Sequence, residues 1–282
     1  MSLHGPDTDA GVRALDAVLH RPAETLVSLD FDGTLAPIVD DPEQAFADPD
    51  AVSALGRLGA MVARVVVITG RPARTAVKLG RFAEQPGLAN MVVLGQYGVE
   101  RWNAAGNEFV IPPEPAAITA VAAELPEILG SLGLDGALVE HKGRAIGVHT
   151  RQLPDPPESL ARLVEPLSEL AARHGLLIEP GKNVLEIRAP GIDKGDALRG
   201  IVAETQAQTV IFAGDDLGDL PAFRAVQELR EQGLDGLLVC SASHEEDALT
   251  EMSDLVLDGS TGVAAWLNEL ADELEASVDP GA

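Results

Sequence analysis

The chain is poor in four things, and each shortage narrows what it can be. It has one cysteine, Cys240, in 282 residues, which excludes an intrachain disulfide and suits a reducing cytosol. Aromatic residues make up only 3% of it, so its cores must be built from Val, Leu, Ile and Ala. It has no apolar run of roughly 18 residues, the length a membrane-spanning helix needs, and no basic-then-apolar N-terminal stretch of the secretory kind. Basic residues are also scarce: 20 Lys and Arg stand against 45 Asp and Glu, for a net charge of −25. A surface of that sign repels nucleic acid and anionic membranes, so neither is an expected partner, and a cytoplasmic location is expected. A phosphorylated ligand would need local positive charge against this field, which makes individual Lys and Arg residues worth tracing.

What is present is an alternation of strands and helices. Val27 and Leu29 end a buried strand; Val52, Leu55, Leu58, Met61 and Val62 recur at helical spacing; Arg64 to Ile68 is β-branched. A helix over about 72–80 and a strand over Met91 to Leu94 follow, and such alternation argues for a parallel sheet of βαβ units. After about residue 100 the pattern changes to helix, hairpin, helix, hairpin: strands near 137–141, 145–151, 176–179 and 184–188, with helices marked by Ile118, Val121, Leu125, Ile128 and by Leu160, Leu163, Leu167, Leu170. That reads as a small α/β domain with an antiparallel sheet, inserted in the first. The expected division is 1–107 and 190–282 for the core, and 108–189 for the insertion. A long helix over 193–206, strands at 209–213, 237–240 and 255–257, and a last amphipathic helix through Val263, Trp266, Leu267, Leu270 and Leu274 complete the core.

Four short stretches carry chemistry. Asp30-Phe31-Asp32-Gly33-Thr34-Leu35 follows a buried strand, and residues two apart on a strand face one way. Unless the turn at Gly33 redirects the second, that spacing brings two carboxylates to one cleft, where they can bind a hard cation such as Mg²⁺, or divide the labour of attack and proton transfer; the same letters also fit a polar strand end before a turn. Thr69, in Thr69-Gly70-Arg71-Pro72, stands where a strand hands over to a helix, so its hydroxyl and the nearby N–H groups can face an anion, or simply form a turn and cap. Lys194 opens a helix, against the dipole, and a nearby carboxylate or phosphate would explain it; otherwise it is a surface lysine. Gly214-Asp215-Asp216-Leu217-Gly218-Asp219 crowds three carboxylates that repel one another unless a cation lies among them.

Taken together and in this order, these stretches resemble the four motifs of the haloacid-dehalogenase-like phosphohydrolases. The resemblance implies an α/β fold, a Rossmannoid parallel-sheet core with an inserted C2-type cap. It implies Asp30 as nucleophile, Asp32 as general acid/base, and Thr69 and Lys194 as stabilisers of phosphoryl charge. Asp30, Asp32 and Asp215 would be ligands of Mg²⁺, and Asp216 and Asp219 would hold metal-bound water or orient Lys194. Arg71 matches an arginine found in sugar-phosphate phosphatases. The insertion resembles the cap of trehalose-6-phosphate phosphatases through Glu140-His141-Lys142-Gly143, His149-Thr150-Arg151 and Gly181-Lys182-Asn183-Val184-Leu185-Glu186-Ile187-Arg188; Gln96, in Leu94-Gly95-Gln96-Tyr97-Gly98-Val99-Glu100, belongs to that family's segment after the third strand.

In that family Glu140, Lys142 and Glu186 would grip sugar hydroxyls, with Arg71 and Gln96 also at the substrate. The implied protein is an Mg²⁺-dependent phosphomonoesterase of carbohydrate metabolism that hydrolyses trehalose 6-phosphate, a phosphorylated disaccharide, through an aspartyl phosphate; a monomer is the expected state. A charged hairpin whose Glu140 and Lys142 merely pair is the plainer reading of the cap residues. Gly218 and Leu220 depart from the family's Gly-Asp-Asp-x-Thr-Asp-Glu. That departure keeps open a phosphatase for another sugar or glycosyl phosphate, such as sucrose phosphate or mannosylglycerate phosphate, and a non-catalytic phosphosugar-binding module.

Overall fold

The computed structural model describes residues 3–181, 183–242 and 247–278. Lys182, quoted above, lies outside the described residues. Packing divides the chain into two units: residues 1–111 with 192–282, and residues 112–191.

The first unit is built on β1 (Thr25–Leu29), every residue of which is buried. A strand buried on both faces reads as a continuous apolar run, and Thr25-Leu-Val-Ser-Leu29 sits between helices on each side. β1 pairs in parallel with β2 (Arg64–Ile68) on one side and with β10 (Thr209–Gly214) on the other. The order among the described residues is β12-β11-β10-β1-β2-β3-β4-β5, where β3 is Val92–Gly95, β4 Glu100–Asn103, β5 Glu108–Val110, β11 Asp235–Ala242 and β12 Leu255–Asp258. The chain leaves β1 towards β2 but returns on its other side through β10, so a crevice opens at the carboxyl ends of these strands, the place where open sheets hold ligands. The register is level: Leu29 stands opposite both Ala213 and Val67, so Asp30, Gly214 and Ile68 follow at one height.

β4 is not expected from the sequence, whereas a strand near 108–111 is, and β5 is found there. Glu100-Arg-Trp-Asn103 gives little strand signal, yet it turns back antiparallel on β3 and buries Trp102. β5 then pairs with β4, so residues 108–110 continue the larger sheet, and packing divides the chain after 111 and 191.

The second unit is a four-stranded antiparallel sheet, ordered β6-β7-β9-β8, with β6 Leu138–His141, β7 Ala145–His149, β8 Leu177–Gly181 and β9 Val184–Arg188. Alternation decides its faces. Ile146, Val148, Leu185 and Ile187 point into a core closed by Ile118, Val121 and Leu125 of α4 (Ala116–Ser131) and Leu163, Leu167 and Leu170 of α5 (Pro156–Arg173). The intervening residues, Glu140, Gly147, His149, Glu186 and Arg188 among them, stand on the opposite face.

Candidate active site

Asp30 leaves the end of β1 with its N–H bonded to Ala213 O at 2.8 Å. Its carboxylate meets Lys194, the first residue of α6 (Lys194–Thr205), with Nζ 2.8 Å from Oδ1. Lys194 also donates to Asp219 Oδ1 at 2.7 Å. The side chains of Asp30, Lys194 and Asp219 are 7%, 5% and 0% exposed, so this is a desolvated ion network. The unfavourable helix start is thereby explained: two carboxylates hold the ammonium there, while Asp193 and Asp196 close a capping box around the orphan N–H groups.

The fourth stretch folds on its own acids. Asp219 Oδ2 accepts from the N–H groups of Asp215 at 3.0 Å and Asp216 at 3.3 Å, and Asp216 Oδ1 accepts from Gly218 N. Asp215 is thus aimed at the end of β1. The fit is close: a Cβ on Gly33, whose φ is +73°, would lie 1.9 Å from Asp215 Oδ2. Buried Ser241 donates to Gly33 O at 2.6 Å and fixes that turn from β11.

Oxygens of Asp30, Asp215 and Asp219 lie within 4.8 Å of one another, and Asp215 Oδ1 is buried with no hydrogen-bond partner among the described residues. At an effective dielectric of about 20, each carboxylate pair at that separation repels by roughly 3–4 kcal/mol. Burial first, and then the charge of Asp30, push Asp215 up to about 9. Burial likewise raises Asp30 and Asp219, with Lys194 opposing it. Burial works against the charge of Lys194, yet Asp219 and Asp30 outweigh it and hold its pKa well above the ordinary lysine value. All four shifts say that the cluster takes up positive charge. An all-oxygen set with an unpaired buried oxygen fits a divalent cation, with Asp30 and Asp215 as the available ligands; the oxygens of Asp219 are already occupied.

Asp32 is not part of this set. Its carboxylate turns to Arg71, which donates from Nε to Oδ2 at 2.7 Å and from Nη2 to Oδ1 at 2.6 Å. Thr69 is buried at the end of β2, and its Oγ1 accepts from Arg71 N at 3.1 Å, leaving its O–H available to donate. Gln96 is buried too, but its Nε2 donates to Gly70 O at 3.0 Å, so its amide braces the Thr69–Arg71 turn. Glu100 accepts from Ala73 N at 2.7 Å and so caps α3 (Ala73–Gly80), whose N-cap residue, Pro72, makes no side-chain cap bond. Sequence reading missed Ser241 and the capping role of Glu100; neither a lone serine in a strand nor a strand glutamate has a local signature.

In the second unit Lys142 Nζ lies 2.6 Å from Glu186 Oε2 and 3.7 Å from Glu140 Oε2, and His149 Nε2 lies 2.9 Å from the same Glu140 oxygen. Glu140, Gly147, Glu186 and Glu179 are register neighbours across β6, β7, β9 and β8. Three glutamates thus form a row interrupted by bare backbone at Gly147. Glu179 pairs with Arg188.

This fold, with an open α/β core and an inserted sheet-bearing cap, is that of the haloacid-dehalogenase-like hydrolases. One from Bacteroides thetaiotaomicron aligns with a TM-score of 0.61 at 18% identity, covering 87% of this chain and 99% of its own. The C-terminal domain of trehalose-6-phosphate phosphatase from C. albicans aligns at 0.72 and 19%, covering 96% and 99%. The Trehalose-phosphatase family model matches residues 28–256, and the chain belongs to that family. The trehalose-phosphate phosphatase of Mycobacterium marinum is 32% identical over 265 residues, 90% of this chain. The chain spans 62% of the length of that relative. No helix among the described residues is long and apolar enough to cross a membrane.

Proposed function

We propose that the chain is a Mg²⁺-dependent phosphatase that releases phosphate from trehalose 6-phosphate. The observation that carries the reading is the buried Asp30–Lys194–Asp219 network beside the unpaired Asp215 oxygen. Burying carboxylates with one ammonium and an unsatisfied oxygen is costly for stability, which points to retention for chemistry.

In this reading Asp30 attacks phosphorus and forms an aspartyl phosphate. As the bond from phosphorus to the sugar oxygen breaks, Asp32 gives its proton to that oxygen, which leaves as a hydroxyl, and then, as base, activates the water that cleaves the intermediate. Lys194 opposes the effect of burial on Asp30 and holds its carboxylate in line, and Asp219 fixes Lys194. Thr69 O–H and Lys194 donate to phosphoryl oxygens as charge develops on them. Mg²⁺, held by Asp30 and Asp215, would neutralise charge on the transferring group. Glu140, Lys142 and Glu186 receive sugar hydroxyls, for which a row of acceptors with a donor beside it is suited. A cytosolic setting accords with the buried free thiol of Cys240.

The test is phosphate release from a panel of sugar phosphates with and without Mg²⁺. Turnover of trehalose 6-phosphate should lead the panel and vanish on exhaustive chelation. Undiminished turnover with a chelator, or a preference for another glycosyl phosphate, would overturn the metal or the substrate assignment respectively.

A further inference from the structure

We infer that Arg71 is a positioning residue for the acid/base carboxylate of Asp32, and not a ligand of the substrate's phosphate. The inference rests on the phosphatase reading above. A guanidinium is a rigid planar fork that matches a carboxylate edge on, and here the Nε–Nη2 edge is taken: these nitrogens donate to the two Asp32 oxygens at 2.7 and 2.6 Å. The remaining nitrogen, Nη1, donates to Pro42 O at 2.9 Å, in the loop between Ala36 and Ala47. The guanidinium carbon lies 5.7 Å from the centre of the Phe31 ring, which is itself buried and edge-packed on Phe82. The Arg71 backbone is tied at both ends, its N–H to Thr69 Oγ1 and its carbonyl to Gln96 N–H. An arginine meant for a phosphate would turn its fork to solvent. In this pair the arginine is the covered partner, 16% exposed, and Asp32 is the open one, 41% exposed.

The arrangement leaves Asp32 competent. Each carboxylate oxygen has two lone-pair directions, and Arg71 occupies one on each, so the outer edge stays free for a leaving oxygen or a water. Asp32 follows directly on Phe31 in a short turn closed by Leu35 N and Ala36 N on Phe31 O, so its backbone is fixed and only the side-chain rotamer remains to be set. Arg71 sets it. The clamp depends on fork geometry and not on charge alone, so a lysine at this position could not replace it.

The experiment uses Arg71→Lys and Arg71→Gln, each first shown to melt cooperatively near the wild-type temperature, with Mg²⁺ present. With trehalose 6-phosphate, kcat should fall by about 10–100-fold in both while KM changes less than about threefold. Phosphate on Asp30 should accumulate in quenched samples, because hydrolysis of the intermediate also needs Asp32. Adding Arg71→Gln to Asp32→Asn should cost nothing further. Affinity for inorganic phosphate, measured by calorimetry, should stay near wild type. A raised KM with intact kcat, a lost affinity for inorganic phosphate, multiplying losses in the double variant, or full activity of Arg71→Lys would each overturn the assignment. A wild type that releases no phosphate from any sugar phosphate would instead overturn the phosphatase reading, whereas weak variants beside an active wild type bear on Arg71 alone.

Discussion

Lys194 and Lys142 each stand between two carboxylates, and the two groups are built on different terms. Around Lys194 the ammonium and both acids are at most 7% exposed, and a third acid, Asp215, crowds in with an unpaired oxygen. Around Lys142 the lysine is 24% exposed, Glu186 12% and Glu140 41%. In the first group desolvation makes every charge consequential and the surplus of carboxylates calls for a cation. In the second, water still screens the pairs, so they can exchange one another for the hydroxyls of a ligand at small cost. The first arrangement accords with the phosphoryl chemistry proposed above, the second with the sugar contacts proposed above.

The comparison breaks first at the nucleophile. Asp30→Asn should lower turnover by on the order of 10⁴-fold or more, because an amide cannot attack. Asp32→Asn should also cripple turnover but leave phosphate trapped on Asp30. Mass spectrometry of quenched reactions separates the two; phosphate on any other residue would refute the assignment.

A second contrast is stability. Lys194→Ala leaves Asp30 and Asp219 buried without a counter-charge and should cost about 3–5 kcal/mol in denaturant titration. Lys142→Ala removes a partly solvated pair and should cost roughly 0–1 kcal/mol. Equal losses would mean that the two groups are not built differently.

The smallest effect concerns pH. In the metal-free protein the Asp215 pKa is raised from 3.8 to about 9, so the folded state holds a proton that the unfolded chain has already lost. That contribution to stability is present below 3.8 and is lost as pH rises towards about 9. Asp215→Asn removes the charge at nearly constant shape. In a chelator it should therefore melt above wild type, with a wider gap at about pH 8 than at about pH 5. Mg²⁺ should narrow the gap by stabilising wild type alone. A gap independent of pH would show that Asp215 is not destabilised by its setting.

The strand-end aspartates could be read from the sequence because buried strands are apolar runs, and a sudden acidic dipeptide at their end is conspicuous. Lys194 was legible only through the family resemblance: a cation where the helix dipole disfavours one called for a partner, but on its residues alone a surface lysine was the preferred reading. Asp32 was legible only in part: the period-two spacing and the turn at Gly33 left two directions open for it, and nothing local showed that Arg71, 39 positions away, would take its carboxylate. β4 was hidden because one of its two buried positions is a charged residue, Glu100, and four residues are too short a window for periodicity. Gly147 went unnoticed because a glycine in a strand means something only once its register neighbours, Glu140 and Glu186, are known.

The central claim is a division of labour, with the phosphoryl group assigned to the Lys194 cluster and the sugar to the Lys142 row. The most direct measurement is kcat/KM of Glu186→Ala for trehalose 6-phosphate and for p-nitrophenyl phosphate, an ester without sugar hydroxyls. A site built to hydrogen-bond hydroxyls loses heavily when a charged contact that the bound sugar covers goes. The value for trehalose 6-phosphate should fall by about 10²-fold or more, with that for p-nitrophenyl phosphate changed by less than about twofold. Equal losses on both esters, or none on either beside an active wild type, would contradict the division of labour.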